Sequence, residues 1–390
     1  MQNKHNSPIT MNFFKSKGIS AITAALISIA LGLIFGFIVM LIAQPSNSFL
    51  GFIMMMTGGF KRIGDVFYFA TPILMTGLSV GFAFKMGLFN IGASGQYTMG
   101  MFFAMYAGFI LDVPENTRWI VCIIAGMLGG MIWGIIPGIL KAIANVNEVI
   151  TCIMFNYIGM YFVDMWIQSS AKMYVSTKTR TAYLPSSAQL PSLHVPNSSV
   201  NIAFIFAIVI AIIIYIVLNK TTFGYELKAT GFNKSASKYA GMNDKRNMIL
   251  TMMIAGGLAG LGGAFAILAP STIPGSSMTY EPINVIAANG FNGIAVALLG
   301  SANPIGIIFS AVFISHIQRG GTLVSSSLDY KPEIIDIVIA VIIYFSAFAM
   351  LINSNIAKLF KKGNKIKPEK NIAINSTLVK SEVKVDGKEA

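Results

Sequence analysis

Residues 19–43 read ISAITAALISIALGLIFGFIVMLIA, an uncharged run in which small and hydroxylated side chains are scattered among Ile, Leu, Phe and Val. A helix needs about 20 such residues to cross the hydrocarbon of a bilayer, so this stretch alone reads as a transmembrane helix. It is too long for the apolar region of a signal peptide and lacks a small-residue cleavage site, so it is expected to stay in the chain. The same pattern recurs. Ten spans can be drawn, at about 19–43, 66–84, 88–111, 119–140, 148–167, 200–218, 247–269, 284–300, 304–319 and 333–352. Helix is the expected element, because lipid offers no partner for backbone polar groups and these runs far exceed barrel strands. Phe49 to Thr57 is too short to cross and is expected at the interface. The run 284–300 contains Asn289, Gly290, Asn292 and Gly293, and reads either as a full span or as a broken, re-entrant helix.

Composition agrees. Hydrophobic residues make up 55% of the 390 and charged residues 11%, against about 25% charged in soluble domains. A water-facing surface cannot be built from that supply, so soluble enzymes and nucleic-acid binders are excluded despite a net charge of +13. The fold class expected is an all-α polytopic membrane protein with about ten transmembrane helices. Cys122 and Cys152 each lie inside an apolar run and read as buried packing thiols.

Sidedness follows from Lys and Arg. With the N-terminus inside, 20 of the 28 basic residues fall on the cytoplasmic side, and without the C-terminal tail the score is 11 to 8. Both termini are therefore expected in the cytoplasm. Residues 1–18 form a short cytoplasmic segment and 19–352 the transmembrane domain. An external loop at 168–199 carries Pro185, Pro191 and Pro196, and a cytoplasmic connection spans 219–246. The tail 353–390, rich in Lys, Asn and Glu, is expected to be disordered, with Lys361, Lys362, Lys365 and Lys367 facing the membrane side or solvent.

Missing motifs narrow the chemistry. No phosphate-binding glycine loop occurs; Gly387-Lys388 is followed by Glu389. His5, His194 and His316 are scattered, without cysteine or carboxylate neighbours at ligand spacing, so no metal site is expected and His316 reads as a packing residue. Carboxylates at the bilayer centre mark ion-coupled transport. Glu148, Asp164 and Asp336 all fall near span ends, where solvation is cheap, so a proton- or sodium-driven mechanism has little support.

The connection at 219–246 has six basic and two acidic residues, and is long enough for an element of its own. Asn233 can cap a short helix, Ala236 and Ala240 favour it, and Gly241 can end it. Physics alone leaves two readings even: a device that passes motion from a soluble partner, or a basic loop that fixes topology. Gly224-Tyr225, Ala229-x-Gly231-x-Asn233 and Ala240-Gly241-Met242 resemble the coupling loop of bacterial ABC importer permeases of the branched-chain amino acid and simple-sugar type. The resemblance extends to Ala255-Gly256-Gly257-Leu258-Ala259-Gly260-Leu261-Gly262-Gly263, and to the stretch from Gly290 to Gly300 with Asn303-Pro304. It covers about 66–320.

The resemblance implies that Gly231, Asn233, Ala236, Tyr239, Ala240 and Gly241 dock on a cytoplasmic ATPase subunit. That subunit would use ATP and Mg, while this chain binds no cofactor and is not itself an enzyme. It further implies a second, homologous permease subunit and an extracytoplasmic solute-binding protein, all at the bacterial cytoplasmic membrane.

Gly87-Leu88-Phe89-Asn90-Ile91-Gly92-Ala93-Ser94-Gly95-Gln96 is similar to the Phe-Asn-Ile-Gly-x-Glu-Gly-Gln signature of the nucleoside-importing branch, with Ser94 where that branch has Glu. Nucleosides are thus the implied solute, with simple sugars or branched-chain amino acids as alternatives. A stand-alone secondary transporter or a channel is the competing class, and the nearly uncharged interior offers no selectivity ring for it. Asn90, Ser94 and Gln96 place hydrogen-bonding groups near one span end, where they serve either an uncharged polar solute or helix–helix cohesion. Asn156, Tyr157, Asn289, Phe291 and Asn292 are further candidates: the aromatics can stack on a base or anchor at the interface, and the amides can read its edge. Gly126, Gly130, Gly134 and Gly138 lie on one face of the fourth span, Gly256, Gly260 and Ala264 on one face of the seventh. Such faces favour close packing of helix backbones. Ala125 to Gly130 also echoes Ala255 to Gly260, a possible internal repeat.

Overall fold

The glycine faces meet each other. In the computed structural model, which describes residues 17–195, 198–271 and 276–345, helix α5 (Arg118–Ala144) lies along helix α10 (Asp244–Ile267) with glycine opposite glycine. A Cβ built on Gly260 would stand 2.5 Å from the Gly126 carbonyl oxygen and 2.8 Å from Gly130 Cα; one on Gly134 would stand 2.9 Å from Gly256 Cα. Gly100, in helix α4 (Ala93–Ile110), abuts Gly260 as well, so three backbones share one seam. The two echoing six-residue stretches are therefore the two sides of one contact. With lipid as apolar as leucine, close backbone approach and its dispersion energy are what hold such helices together.

Around that seam stand α1 (Lys17–Ala43), α2 (Ser48–Lys61), α3 (Ile63–Lys85), α6 (Glu148–Ser169) and α7 (Ala203–Lys220). Two short helices, α8 (Thr222–Phe232) and α9 (Lys234–Tyr239), occupy the connection before α10. Then follow α11 (Ala288–Leu299), α12 (Pro304–Leu328) and a helical segment over 332–345, here α13. Among the described residues, seven helices are long and apolar enough to cross a membrane: α1, α3, α5, α6, α7, α10 and α12. Helices α3 and α10 are mostly buried, whereas α1, α5 and α7 turn broad apolar faces outward.

Several expectations change. The span drawn at 88–111 starts as helix only at Ala93, after a non-helical stretch, and its first turns carry Ser94, Gln96, Tyr97 and Thr98. The run 284–300 yields a helix of 12 residues, about 18 Å at 1.5 Å per residue and too short for a ~30 Å core. Phe49 to Thr57, expected to be too short to cross, is part of the 14-residue α2, whose Gly58 packs on Gly320 of α12. Helix α12 runs on past Arg319 to Leu328. That arginine ends the apolar run in sequence, but in space its Nη2 donates to Asp65 Oδ2 at 2.9 Å and its guanidinium sits 4.6 Å from the Phe69 ring centroid. His316 is held between Phe60 and the Met56 carbonyl, 2.8 Å from its Nε2. Residues 1–16 and 346–390, with the N-terminal segment, the end of the last span and the basic tail, lie outside the described residues.

At the end away from α8 and α9, the connection after α6 folds onto the one after α10. Strands β1 (Tyr174–Val175) and β2 (Arg180–Thr181) pair antiparallel. Thr181 N donates to the Tyr280 carbonyl at 2.9 Å, and Leu190 N to the Leu268 carbonyl at 2.8 Å. With Met173, Leu184, Ala188 and Leu190 buried, these two connections form one cap.

Candidate functional site

Two helices begin inside the bundle. Asn90, just before α4, donates to Ser79 Oγ at 3.0 Å, and Asn289 in the first turn of α11 accepts from Thr76 Oγ1 at 2.9 Å. Ser79 and Thr76 lie six and nine residues before the end of α3 at Lys85. A helix start leaves N–H groups without internal partners, and Gly92 before α4 has no side chain to offer them. Asn156 reaches across from α6 instead. Its Oδ1 accepts from Gly95 N at 2.7 Å and its Nδ2 donates to the Ile91 carbonyl at 3.0 Å. Asn90 and Gln96 exchange a reciprocal pair of bonds at 2.8 and 3.1 Å. Ser94 Oγ donates to the Ala287 carbonyl, fastening the lead-in to α11, and Asn289 Nδ2 donates to Tyr97 Oη at 3.0 Å. Gly290 lies so close to Ser94 that a Cβ would overlap its backbone.

The structure thus gathers Asn90, Ser94, Gln96, Asn156 and Asn289 into one node. The first four are at most 2% exposed, with their amide and hydroxyl groups engaged with protein. Tyr157 and Phe291, each the next neighbour or nearly so of a node residue, point out of the bundle, 49% and 40% exposed. Asn292 is half-buried.

Above the node, residues 281–287 descend without helix toward α11, with Ile283 and Val285 exposed. Their upper end is pinned by Asp164. Its Oδ1 accepts from Tyr280 Oη and its Oδ2 from Asn284 N, both at 2.7 Å. Sequence places Asp164 where water is near; the fold buries it to 2% exposure and gives it protein donors in place of solvent. Burial, and then the Asp164 carboxylate, push the Tyr280 phenol well above its ordinary range. Gln168 Nε2 adds a bond to the Pro282 carbonyl at 3.0 Å.

The connection at 219–246 is built by its caps. Thr221 Oγ1 accepts from Gly224 N, Asn233 Oδ1 from Ala236 N and Asn243 Oδ1 from Arg246 N, each at 3.0–3.1 Å. Gly241, at φ +80°, closes α9 in the left-handed region that glycine tolerates. Gly231 rests on the backbone of Lys85 and Met86, where a Cβ would stand 2.6 Å from Met86 C, and Thr251 Oγ1 donates to Met86 Sδ at 3.1 Å. The loop is therefore seated on the turn that leads up to Asn90. Ala236, Tyr239 and Ala240 face outward. Phe232 and Tyr239 are 96% and 94% exposed. Phe232 was not among the expected coupling residues; a large apolar side chain beside the cap Asn233 in a polar stretch was its only trace. A groove of about 770 Å³ runs alongside, lined by Lys220, Tyr225, Glu226, Met242 and Arg246 among others. Among the described residues, no three His, Cys, Asp or Glu side chains gather as metal ligands.

Comparison with known proteins joins these features. Residues 62–347 match the family model described as branched-chain amino acid transport system / permease component. The chain is 35% identical over 359 residues to the guanosine ABC transporter permease protein NupP of Bacillus subtilis, covering 89% of this chain and 99% of that one. It is 36% identical over 346 residues to the nucleoside ABC transporter permease protein NupB of Lactococcus lactis (85% and 92% covered). A second Lactococcus lactis protein, the nucleoside ABC transporter permease protein NupC, is 24% identical over 310 residues (74% and 93% covered). No solved structure matches. A multi-pass bundle with interrupted central helices and a capped helical connection, matched over most of its length by permease components, belongs to the branched-chain amino acid transport system / permease component family.

Proposed function

We propose that this chain is the nucleoside-conducting permease subunit of an ATP-driven importer in a bacterial cytoplasmic membrane. The observation that carries the geometry is the descending segment 281–287. Non-helical backbone at membrane depth is tolerated only inside protein or against water, yet Ile283 and Val285 are exposed, as Tyr157 and Phe291 are. A second, homologous permease subunit facing this side, with the solute path between the two, resolves the conflict. The presence of NupB and NupC in one organism supports such a pair. Nucleosides are favoured by the names of the relatives and by the Phe89-Asn90-Ile91-Gly92 motif.

In this reading the chain crosses about ten times, with α11 and its lead-in as one passage and both termini on the α8–α9 side. A solute-binding protein delivers to the cap formed by 168–199 and 268–287. On the other side, a cytoplasmic ATPase subunit holds ATP and Mg and grips α8 and α9 through Phe232, Ala236, Tyr239 and Ala240. Gly231 then passes its movement to the Lys85–Gly87 turn and so to the node. Ser94 bonds backbone where the nucleoside-branch signature it resembles has Glu, which leaves the node uncharged. The test is uptake of labelled guanosine and uridine in cells with and without the gene, with unlabelled ribose and leucine in excess. Gene-dependent uptake that ignores both competitors is expected; uptake unchanged by deletion in cells lacking other nucleoside transporters removes nucleosides as the solute.

A further inference from the structure

The outward face of α7 runs without charge through Ile205, Val209, Ile212, Ile213 and Ile216, all exposed. These residues fall three and four apart, so they form one stripe, and its next positions are Asn219 and Lys220. Helix α7 packs on α3, α8 and α12, and the stripe is turned away from them toward lipid. Where the stripe ends, the groove of about 770 Å³ opens, lined by Asn219 and Lys220 at the end of α7, Tyr225 and Glu226 of α8, and Arg246 at the start of α10. Its charge is unbalanced. Lys228 is drawn to it, with Nζ donating to Asn219 Oδ1 at 3.3 Å. Of the two carboxylates in the connection, Asp244 lies 3.4 Å from Lys234 Nζ, and Glu226 accepts from Asn247 Nδ2 at 3.3 Å. Among the described residues, neither Lys220 nor Arg246 has an ion-pair partner.

We propose that this groove binds the headgroup of an anionic phospholipid whose acyl chains lie along the α7 stripe. Lys220 and Arg246 meet the phosphate, the arginine with a planar fork that matches phosphate oxygens in pairs. Tyr225, 66% exposed, adds an aromatic ring of the kind that settles at headgroup depth. Space is sufficient. A cavity of roughly 150 Å³ holds a benzene ring; the groove is several times larger and open, as a headgroup still joined to its chains requires. A free anion has no use for the apolar stripe that leads to the cations, and a lipid has. Ala240 and Gly241 also line the groove, so bound lipid lies against the connection that the ATPase subunit is proposed to grip. The site needs α7 to face lipid and depends on neither the solute nor the ATPase reading.

The test is the affinity of the purified full chain for its first bound lipid, read by native mass spectrometry. Phosphatidylglycerol is titrated against phosphatidylcholine of the same chains, with soluble glycerol phosphate as competitor. One cation near an anionic surface contributes roughly fivefold in binding, so phosphatidylglycerol is expected to bind at least tenfold more tightly. Lys220→Gln with Arg246→Gln should cut that preference below threefold. Lys172→Gln with Lys178→Gln, which removes two exposed cations of the outer cap, should leave it intact. Lys220 and Arg246 are exposed as well, so their variant is expected to melt with the wild type in phosphatidylcholine. Should it fail to fold, Lys220→Arg with Arg246→Lys is expected to keep the preference and Lys220→Glu alone to abolish it. Equal binding of the two lipids overturns the site, and so does a preference that the cap variant lowers as much. Displacement of the lipid by millimolar glycerol phosphate makes the groove a free-anion site and overturns the lipid. A groove variant that keeps the preference but loses the ATPase subunit on co-purification assigns the groove to that subunit instead.

Discussion

The node at the starts of α4 and α11 and the α8–α9 connection both spend Asn side chains on helix starts, Asn156 from α6 in the first and the caps Asn233 and Asn243 in the second, and they differ in where their large and polar groups go. At the node, Asn90, Gln96 and Asn156 bond one another or backbone, and Ser94 ties α4 to Ala287. Those side chains are spent on the protein itself. In the connection, Thr221, Asn233 and Asn243 satisfy the helix starts, but Phe232 and Tyr239 stand almost wholly in solvent. An exposed aromatic pair on a rigid scaffold is what a docking surface needs, since such residues dominate interfaces. The first region resists rearrangement by itself; the second is incomplete by itself. Gly231, seated on Met86, is where the connection rests on the turn that leads to the node.

The seam beneath the node marks the upper limit of that resistance. Gly260→Leu would set a side chain against the Gly126 carbonyl and Gly130 Cα, which are backbone and cannot yield. Overpacking typically costs about 1–3 kcal/mol where side chains can move, so loss of folded protein in the membrane is expected, read by detergent-solubilised monodispersity and melting. Next comes Asn156→Leu, which strips partners from Gly95 N and the Ile91 carbonyl. Each buried unpaired group costs about 1–3 kcal/mol, and a melting point lowered by several degrees with uptake lost is the outcome. A melting point equal to wild type would show the node to be slack.

The connection should behave in the opposite way. Phe232→Ala with Tyr239→Ala is expected to leave melting unchanged and to cut retention of the ATPase subunit on co-purification more than tenfold; unchanged retention would remove these side chains from the docking surface. Smaller still is Tyr280→Phe, which leaves Asp164 with Asn284 N alone. A hydrogen bond to a charged group contributes about 1.5–3 kcal/mol, and the low end is expected here because the cap lies at the edge of the bundle. The pH dependence follows in sign. The Tyr280 phenol is raised in the folded chain by burial and by Asp164, so folded protein keeps a proton that unfolded protein releases above about pH 10. Stability is full below that pH and falls as pH climbs beyond it, and Tyr280→Phe should flatten the fall.

Helix count and position were legible where apolar runs were unbroken: α3, α5, α6, α7 and α10 each begin and end within a few residues of the runs drawn from sequence. Legibility failed wherever a polar residue is neutralised by another distant in the chain. Arg319 ends a run in sequence yet lies inside α12, because Asp65 is 254 positions away and 2.9 Å distant. Asp164 looked solvated until Tyr280, 116 positions on, was seen to cover it. Of the residues expected to line the path, the sequence showed their chemistry and could not show their partners. Asn90 and Asn156 turn inward and Tyr157 outward, although Asn156 and Tyr157 are adjacent in the chain.

By itself, then, the sequence determined that this chain lives in a membrane as a helical bundle. Twenty-residue apolar runs leave the backbone no other way to satisfy its hydrogen bonds in lipid. It also determined where close packing would occur, because a glycine every fourth residue is a property of one helix face. The tertiary structure alone decided which helices break, which polar groups are spent on cohesion and which stay free. Those outcomes depend on donors and acceptors brought together from far along the chain, and local pattern carries no record of them.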